Sequence, residues 1–214
     1  MSKLLAATLL VTAVLAGRTA AAEEPLVDAD GLGRDRYGRM HMLFEKTFLN
    51  IDILSIDIRF GPETADAFRA LAEGRPASPE LTDRIAALAS RAEDVYVEIR
   101  FKRDVSLHDF VGAVRKSLER PRRAGMIDED NYQNISRNLP RWFGFLAEHG
   151  VKSGDRILYR ARASSLRTVY VEREGRVRLD QTDQGAGPRL ALLGSYFAPG
   201  SSFRNTLVAS LFHD

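Results

Sequence analysis

Few residues in this sequence have the types and spacing that catalysis or metal binding requires. The chain has four histidines, none of them spaced as in a typical metal site: His41, His108, His149 and His213. His41 and Glu45 could share one face of a helix, but two ligands without a third are weak evidence for a metal centre. Surface or capping histidines are the simpler interpretation. We therefore predict neither a bound metal nor a cofactor.

Asp52 and Asp57 are the candidates for a carboxylate pair, because both lie in a strongly apolar stretch. Their odd separation places them on opposite faces of an ideal strand unless a bulge intervenes, and solvent-facing positions are favoured. The sequence has no Gly-x-Ser-x-Gly elbow, no phosphate-binding loop and no cysteine. Nucleophilic thiol chemistry and disulfides are therefore excluded, and the residues alone assign no reaction.

A basic cluster stands out among the charged residues: Arg115, Lys116, Arg120, Arg122 and Arg123. Cations at the C-terminal end of a helix suit its negative dipole, so a solvated helix end is favoured over an anion site or a nucleic-acid site. The formal net charge is only +2. A nucleic-acid binder needs clustered positive charge to displace counterions, so we predict that nucleic acid is not a partner.

The N-terminal 22 residues have the layout of a secretory signal peptide. Lys3 provides a positive start, residues 4–16 are apolar but too short to span a bilayer, and residues 20–22 are three alanines. Cleavage before Glu23 would leave a nearly neutral chain, predicted to be periplasmic or secreted and not stably inserted in a membrane. The alternatives are a buried first helix or a membrane anchor. We predict one domain over residues 23–214.

Alternating polar and apolar residues predict the strands. Residues 48–60 and 95–101 form two long stretches of this kind, and three short runs within residues 155–184 predict an antiparallel meander. In the first stretch, the slip between Ile53 and Ile56 indicates a bulge or a change of exposed face.

Helical periodicity and capping residues occupy the segments between these strands. The predicted helices cover residues 62–74, 79–88, 106–121, 128–148, 187–197 and 203–212. Helices on one side of a largely antiparallel sheet are the simplest arrangement for this order. The sequence therefore predicts an α+β fold, with an antiparallel β-sheet covered on one face by helices.

Several segments resemble a known family. These are VYVEIRFKRDVSLHDFVGAVRKSL at residues 95–118, VKSGD at residues 151–155, ALLGSYFAPGSSFRNTLVASLF at residues 191–212, and the strand LNIDILSIDIRF at residues 49–60. Together they are similar to chalcone isomerase-like proteins of the exported bacterial kind, over residues 37–212. The resemblance implies an open-faced β-sandwich of the chalcone isomerase type, with an apolar ligand cleft between sheet and helices.

The resemblance also indicates which positions would line the cleft. The plant enzymes of the family cyclise a chalcone to a flavanone, whereas related members without that activity bind fatty acids. At the positions where the enzymes carry polar catalytic side chains, this chain has Asp52, Phe101, Phe110, Ser117 and Leu192 (or Leu193). The family arginine that faces a ligand anion is matched approximately by Arg39.

These departures favour binding over catalysis. Isomerase chemistry needs donors that hold a phenolate or enolate, and phenylalanine supplies none. Our first hypothesis is a non-catalytic periplasmic protein that binds a small apolar or amphipathic ligand such as a fatty acid, with Arg39 orienting the carboxylate. The alternative is an isomerase acting on a chalcone-like or other small aromatic substrate. A third possibility is a closed cleft in a protein that acts through a partner.

Overall fold

The computed structural model describes residues 27–46 and 51–212. The predicted signal peptide, the beginning of the strand predicted over residues 48–60, and His213 lie outside the described residues. Within those ranges, no helix is long and apolar enough to cross a membrane.

A six-stranded sheet organises the described chain. Every neighbouring pair of strands is antiparallel, and the strands lie in the sheet in the order in which they occur in the sequence. The strands are β1 (Arg39–Lys46), β2 (Ile51–Phe60), β3 (Val95–Phe101), β4 (Arg156–Arg162), β5 (Ser165–Val171) and β6 (Val177–Gln184). The predicted α+β fold is confirmed.

Six α-helices occupy the connections and the C-terminal region of the described chain. They are α1 (Pro62–Ala72), α2 (Pro79–Ala89), α3 (Leu107–Arg123), α4 (Glu129–Trp142), α5 (Ala186–Phe197) and α6 (Arg204–Ala209). Side-chain caps fix where three of them begin. Ser78 accepts a hydrogen bond from the Leu81 amide, Ser106 from the Asp109 amide, and Asp128 from the Asn131 amide.

Strand β1 is absent from the sequence-based prediction. Met40 and Met42 point into the core. Leu43, which follows Met42, is apolar but 44% exposed, so it obscures the alternation of polar and apolar residues along the strand. Because residues 39–46 form a strand, His41 and Glu45 do not share a helical face. Two helix ends also differ from expectation: α3 continues past Pro121 to Arg123, and α4 ends at Trp142 rather than near residue 148.

The irregularity predicted in β2 is a bulge. Phe44 pairs with Leu54, and the next residue, Glu45, pairs with Asp52, so Ile53 is an extra residue on the longer strand. Ile56 and Ile58 beyond it are buried. The bulge therefore allows Ile53 to lie on the same face of the sheet as Ile56.

The two faces of the sheet have different surroundings. The helices cover one face, where the rings of Phe60 and Phe68 meet edge to face at 5.0 Å and those of Phe110 and Phe143 at 4.9 Å. On the other face, Val27 packs in a small buried cluster with Tyr96, and charged residues occupy the area around it. Alternation along the strands thus separates a face covered by helices from a face that carries both this cluster and most of the charged residues of the sheet.

The backbone of α5 packs directly against a side chain of α3. A Cβ atom built on Gly194 of α5 would lie 2.5 Å from the Cβ of Pro121 in α3. The proline ring cannot move aside as a flexible side chain could. Only glycine therefore allows this contact, which fixes the position of α3 above the sheet.

We expect Gly194→Ala to destabilise the fold by roughly 1–3 kcal/mol, because the added methyl group overpacks a contact with a rigid ring. Gly112→Ala is the matched control. A Cβ at this exposed position of α3 meets nothing within 4 Å, so the same change should stabilise by about 0.4–1 kcal/mol. Denaturant unfolding of the two variants measures both effects, and equal shifts in the same direction would contradict the assigned contact.

Candidate functional site

A cavity of about 940 Å³ lies between the sheet and helices α3, α4 and α5. Its walls are mainly apolar. The sheet contributes Leu54, Ile56, Ile99, Phe101 and Leu179, and the helices contribute Phe110, Val114, Ile135, Leu139, Ala191 and Leu192. This volume is at the upper end of the range of small-molecule sites, and concave apolar walls are typical of them.

One stripe of α3 forms a mixed wall of this cavity. Ala113, Lys116, Ser117 and Arg120 follow the helical spacing of one face, and all four line the cavity. The small side chains of Ala113 and Ser117 leave space, and the Ser117 hydroxyl donates to the Val114 carbonyl of its own helix at 2.8 Å. The space beside α3 is therefore bordered by two long cationic side chains.

The predicted basic cluster divides into two groups. Three of its members have local partners: Arg115 donates to the Ser136 carbonyl, Arg122 pairs with Glu129, and Arg123 pairs with Glu119. Lys116 and Arg120 have no acidic partner among the described residues and line the cavity. The interpretation as a solvated helix end fits the first group, whereas the second group forms a cationic edge of the cavity, hereafter the α3 edge.

Three acidic residues line the cavity, Asp104, Asp109 and Asp183, and each accepts a hydrogen bond from a nearby side chain. Lys152 donates to Asp104 at 2.9 Å, and this hydrogen bond lowers the pKa of the Asp104 carboxyl. Asp109 accepts a hydrogen bond from the Ser106 hydroxyl in the first turn of α3, where the helix dipole favours a negative charge. Within the described ranges, no group of three or more possible metal ligands occurs.

The structure brings together four of the six residues predicted from the resemblance. Phe101, Phe110, Ser117 and Leu192 line the cavity, and the rings of Phe101 and Phe110 lie 6.1 Å apart. The fifth, Asp52, is in β2, and its side chain lies outside the described part of the structure. The cavity wall is therefore aromatic at Phe101 and Phe110.

The sixth residue, Arg39, does not line the cavity. It is on the charged face of the sheet with 52% of its side chain exposed, and its guanidinium pairs with Asp57, which also accepts from Arg59 Nε at 3.1 Å. The neighbouring Met40 points toward the helices, and alternation turns Arg39 the opposite way. Arg39 is therefore not placed to orient a ligand in the cavity, and Asp57 is an ion-paired surface residue.

Sequence reasoning missed a row of polar side chains on the sheet. Tyr159, Thr168 and Gln181 are register partners on β4, β5 and β6, and all three line the cavity. Tyr196 of α5 lines it as well. Alternation within each strand gives the face of each residue, but only the strand register shows that the three are neighbours.

The two tyrosines of the cavity are neutral hydrogen-bond donors. Burial raises the pKa of Tyr159 well above its usual range. Burial also raises the pKa of Tyr196, and the proximity of Tyr159 raises it further. Neither hydroxyl has a hydrogen-bond partner among the residues that the structure describes. Both can therefore donate to a bound molecule without carrying charge.

Alkaline pH should reveal this burial. The unfolded chain ionises its tyrosines near pH 10, whereas the folded protein keeps Tyr159 neutral beyond that point. Folding stability is therefore fully present below about pH 10 and falls as the pH rises further. Tyr159→Phe should lessen the fall, which guanidinium unfolding at a series of pH values measures. An identical pH dependence in the variant and the parent would contradict the burial effect.

Comparison with solved structures identifies the fold. A fatty-acid binding protein of Arabidopsis thaliana matches with a TM-score of 0.55 and 11% sequence identity, over 87% of this chain and 92% of that chain. No protein-family model matches the sequence, and no curated protein matches it. At this identity the similarity shows the fold alone. The described chain has a chalcone isomerase-like fold.

Proposed function

We propose that this protein binds a small amphipathic anion with a long apolar tail, such as a fatty acid, in the cavity between sheet and helices. One observation carries the proposal: an apolar cavity of about 940 Å³ is bordered by three cations that have no acidic partner among the described residues, Lys116 and Arg120 of α3 and Arg103 between β3 and α3. The apolar walls would contact the tail of such a ligand, and the cationic side chains would pair with its carboxylate.

Burial of the tail would supply most of the affinity. Each methylene group removed from water contributes about 0.8 kcal/mol, and phenylalanine, leucine and isoleucine side chains line the walls. The head has a different requirement, because a carboxylate buried without a partner is costly. At the α3 edge Lys116 is exposed and Arg120 is partly exposed, so the carboxylate would stay partly hydrated while it pairs with them.

Two further points support binding without catalysis. A similar solved structure is described as a fatty-acid binding protein. The aromatic residues Phe101 and Phe110 occupy part of the wall, and neither can donate a hydrogen bond to a developing oxyanion. We extend the proposal to membership of the exported chalcone isomerase-like proteins. Turnover of a chalcone-like substrate by the pure protein would instead favour the isomerase.

Export belongs to the same proposal, since residues 1–22 have the pattern of a signal peptide. We expect the protein recovered from the periplasm or medium of an expressing bacterium to begin at Glu23. Intact-mass measurement checks this, and Ala22→Phe, which places a bulky residue at the cleavage site, should leave the uncleaved form. Recovery of only the full-length chain from the parent sequence would contradict export with cleavage.

The α3 edge should determine affinity for the carboxylate. We expect Lys116→Ala with Arg120→Ala to weaken binding of palmitate by roughly tenfold to a hundredfold, because two charge-assisted contacts are lost. Titration calorimetry with the purified protein measures the change. The uncharged alcohol of the same chain length should bind the parent and the double variant equally.

A matched control removes the same number of charges elsewhere. Arg39→Ala with Arg123→Ala also deletes two cations, but both are ion-paired and lie outside the cavity lining. This double variant should bind palmitate like the parent protein. Equal losses in the two double variants would show that net charge, rather than the α3 edge, governs binding, and would overturn the assignment.

A further inference from the structure

The floor of the cavity contains a polar row that an unsubstituted acyl chain does not use. Tyr159 pairs in register with Thr168, and Thr168 pairs with Gln181, so the three side chains lie side by side across β4, β5 and β6. The adjacent row on one side is apolar and consists of Ile157, Tyr170 and Leu179. The row Tyr159, Thr168 and Gln181 is called the polar row below.

Three hydroxyls that face the cavity have unused hydrogen-bonding capacity. Tyr159, Thr168 and Tyr196 donate no side-chain hydrogen bond to any residue that the structure describes. By contrast, the buried Tyr170 hydroxyl in the neighbouring row donates to Asp155 at 2.5 Å. Gln181 donates through Nε2 to Asp183 at 2.7 Å, which leaves its amide oxygen as an acceptor. The polar row thus offers two hydroxyl donors and one acceptor to the cavity.

Such groups are unfavourable in a site for saturated chains. A hydroxyl that is taken from water and covered by methylene groups loses its hydrogen bonds, which phenylalanine or valine at the same positions would avoid. A ligand that carries an oxygen along its chain satisfies the same groups. A site built to hydrogen-bond such an oxygen rejects the analogue that lacks it.

We infer that the polar row selects acyl anions that carry a hydroxyl or keto oxygen along the chain over unsubstituted chains of the same length. The inference rests on the proposed function, since the α3 edge still holds the carboxylate. Tyr159 and Thr168 donate to the chain oxygen, and the Gln181 amide oxygen accepts from a chain hydroxyl. Tyr196 supplies a further donor from α5.

The experiment compares stearate with a set of hydroxystearates that differ only in the position of the hydroxyl. Titration calorimetry of the full mature protein should find one positional isomer bound about tenfold more tightly than stearate. Tyr159→Phe with Thr168→Val should abolish that preference while it leaves stearate binding unchanged or tighter. Tyr132→Phe on α4, a tyrosine outside the cavity lining, should keep the preference.

The outcomes separate this inference from the proposed function. Equal binding of stearate and all its hydroxy isomers overturns the inference alone. Equal loss of stearate and hydroxystearate affinity in the Tyr159→Phe, Thr168→Val variant, at an unchanged melting temperature, also overturns it. Absence of binding to every acid in the set overturns the proposed function and this inference together.

Discussion

The close contact between Gly194 and Pro121 is the constraint on which the cavity depends. A Cβ atom at this position of α5 would overlap the proline ring of α3, so the backbone of α5 lies directly against that ring. The same helix α3 is held at its other end by edge-to-face contacts of Phe110 with Phe101 and Phe143. With both ends fixed, the small side chains of Ala113 and Ser117 between them cannot close the space below.

Alternation in the sheet then decides what surrounds that space. Strands β1 and β2 present apolar residues to the helices and charged residues to the opposite face, and the bulge at Ile53 accommodates the extra residue of β2 where it pairs with the edge strand. Arg39, Asp57 and Arg59 satisfy one another on the charged face. Positive charge reaches the cavity from α3 instead, because Lys116 and Arg120 are long enough to border it from a helix.

Much of the fold follows from local sequence signals. The alternation in residues 95–101, the caps at Ser78, Ser106 and Asp128, and the meander before α5 all predict the observed elements. Strand β1 is not predicted by such a signal, because an edge strand with an exposed Leu43 lacks a clean alternating pattern. Without β1 in the prediction, alternation could not show on which face of the sheet Arg39 lies.

The site was less predictable because it depends on which elements are neighbours. Four cavity residues, Phe101, Phe110, Ser117 and Leu192, were reached through the family resemblance rather than through residue chemistry. The polar row requires the register of three strands, and a change of one residue in that register would turn a whole strand over. Likewise, the basic cluster of α3 divides into paired and cavity-lining members only once α4 is in place beside it.

The distribution of charge in the cavity sets how a ligand can lie in it. Burial raises the pKa of Tyr159 and Tyr196, so both phenols are neutral donors, and the Asp183 carboxylate beside Gln181 adds a negative charge to the same wall. An isolated carboxylate placed there would lose its hydration without gaining a cation. At the α3 edge it keeps some water and meets Lys116 and Arg120. The apolar walls, the neutral donors and the charged edge therefore favour a single orientation, with the head at α3 and the chain along the sheet.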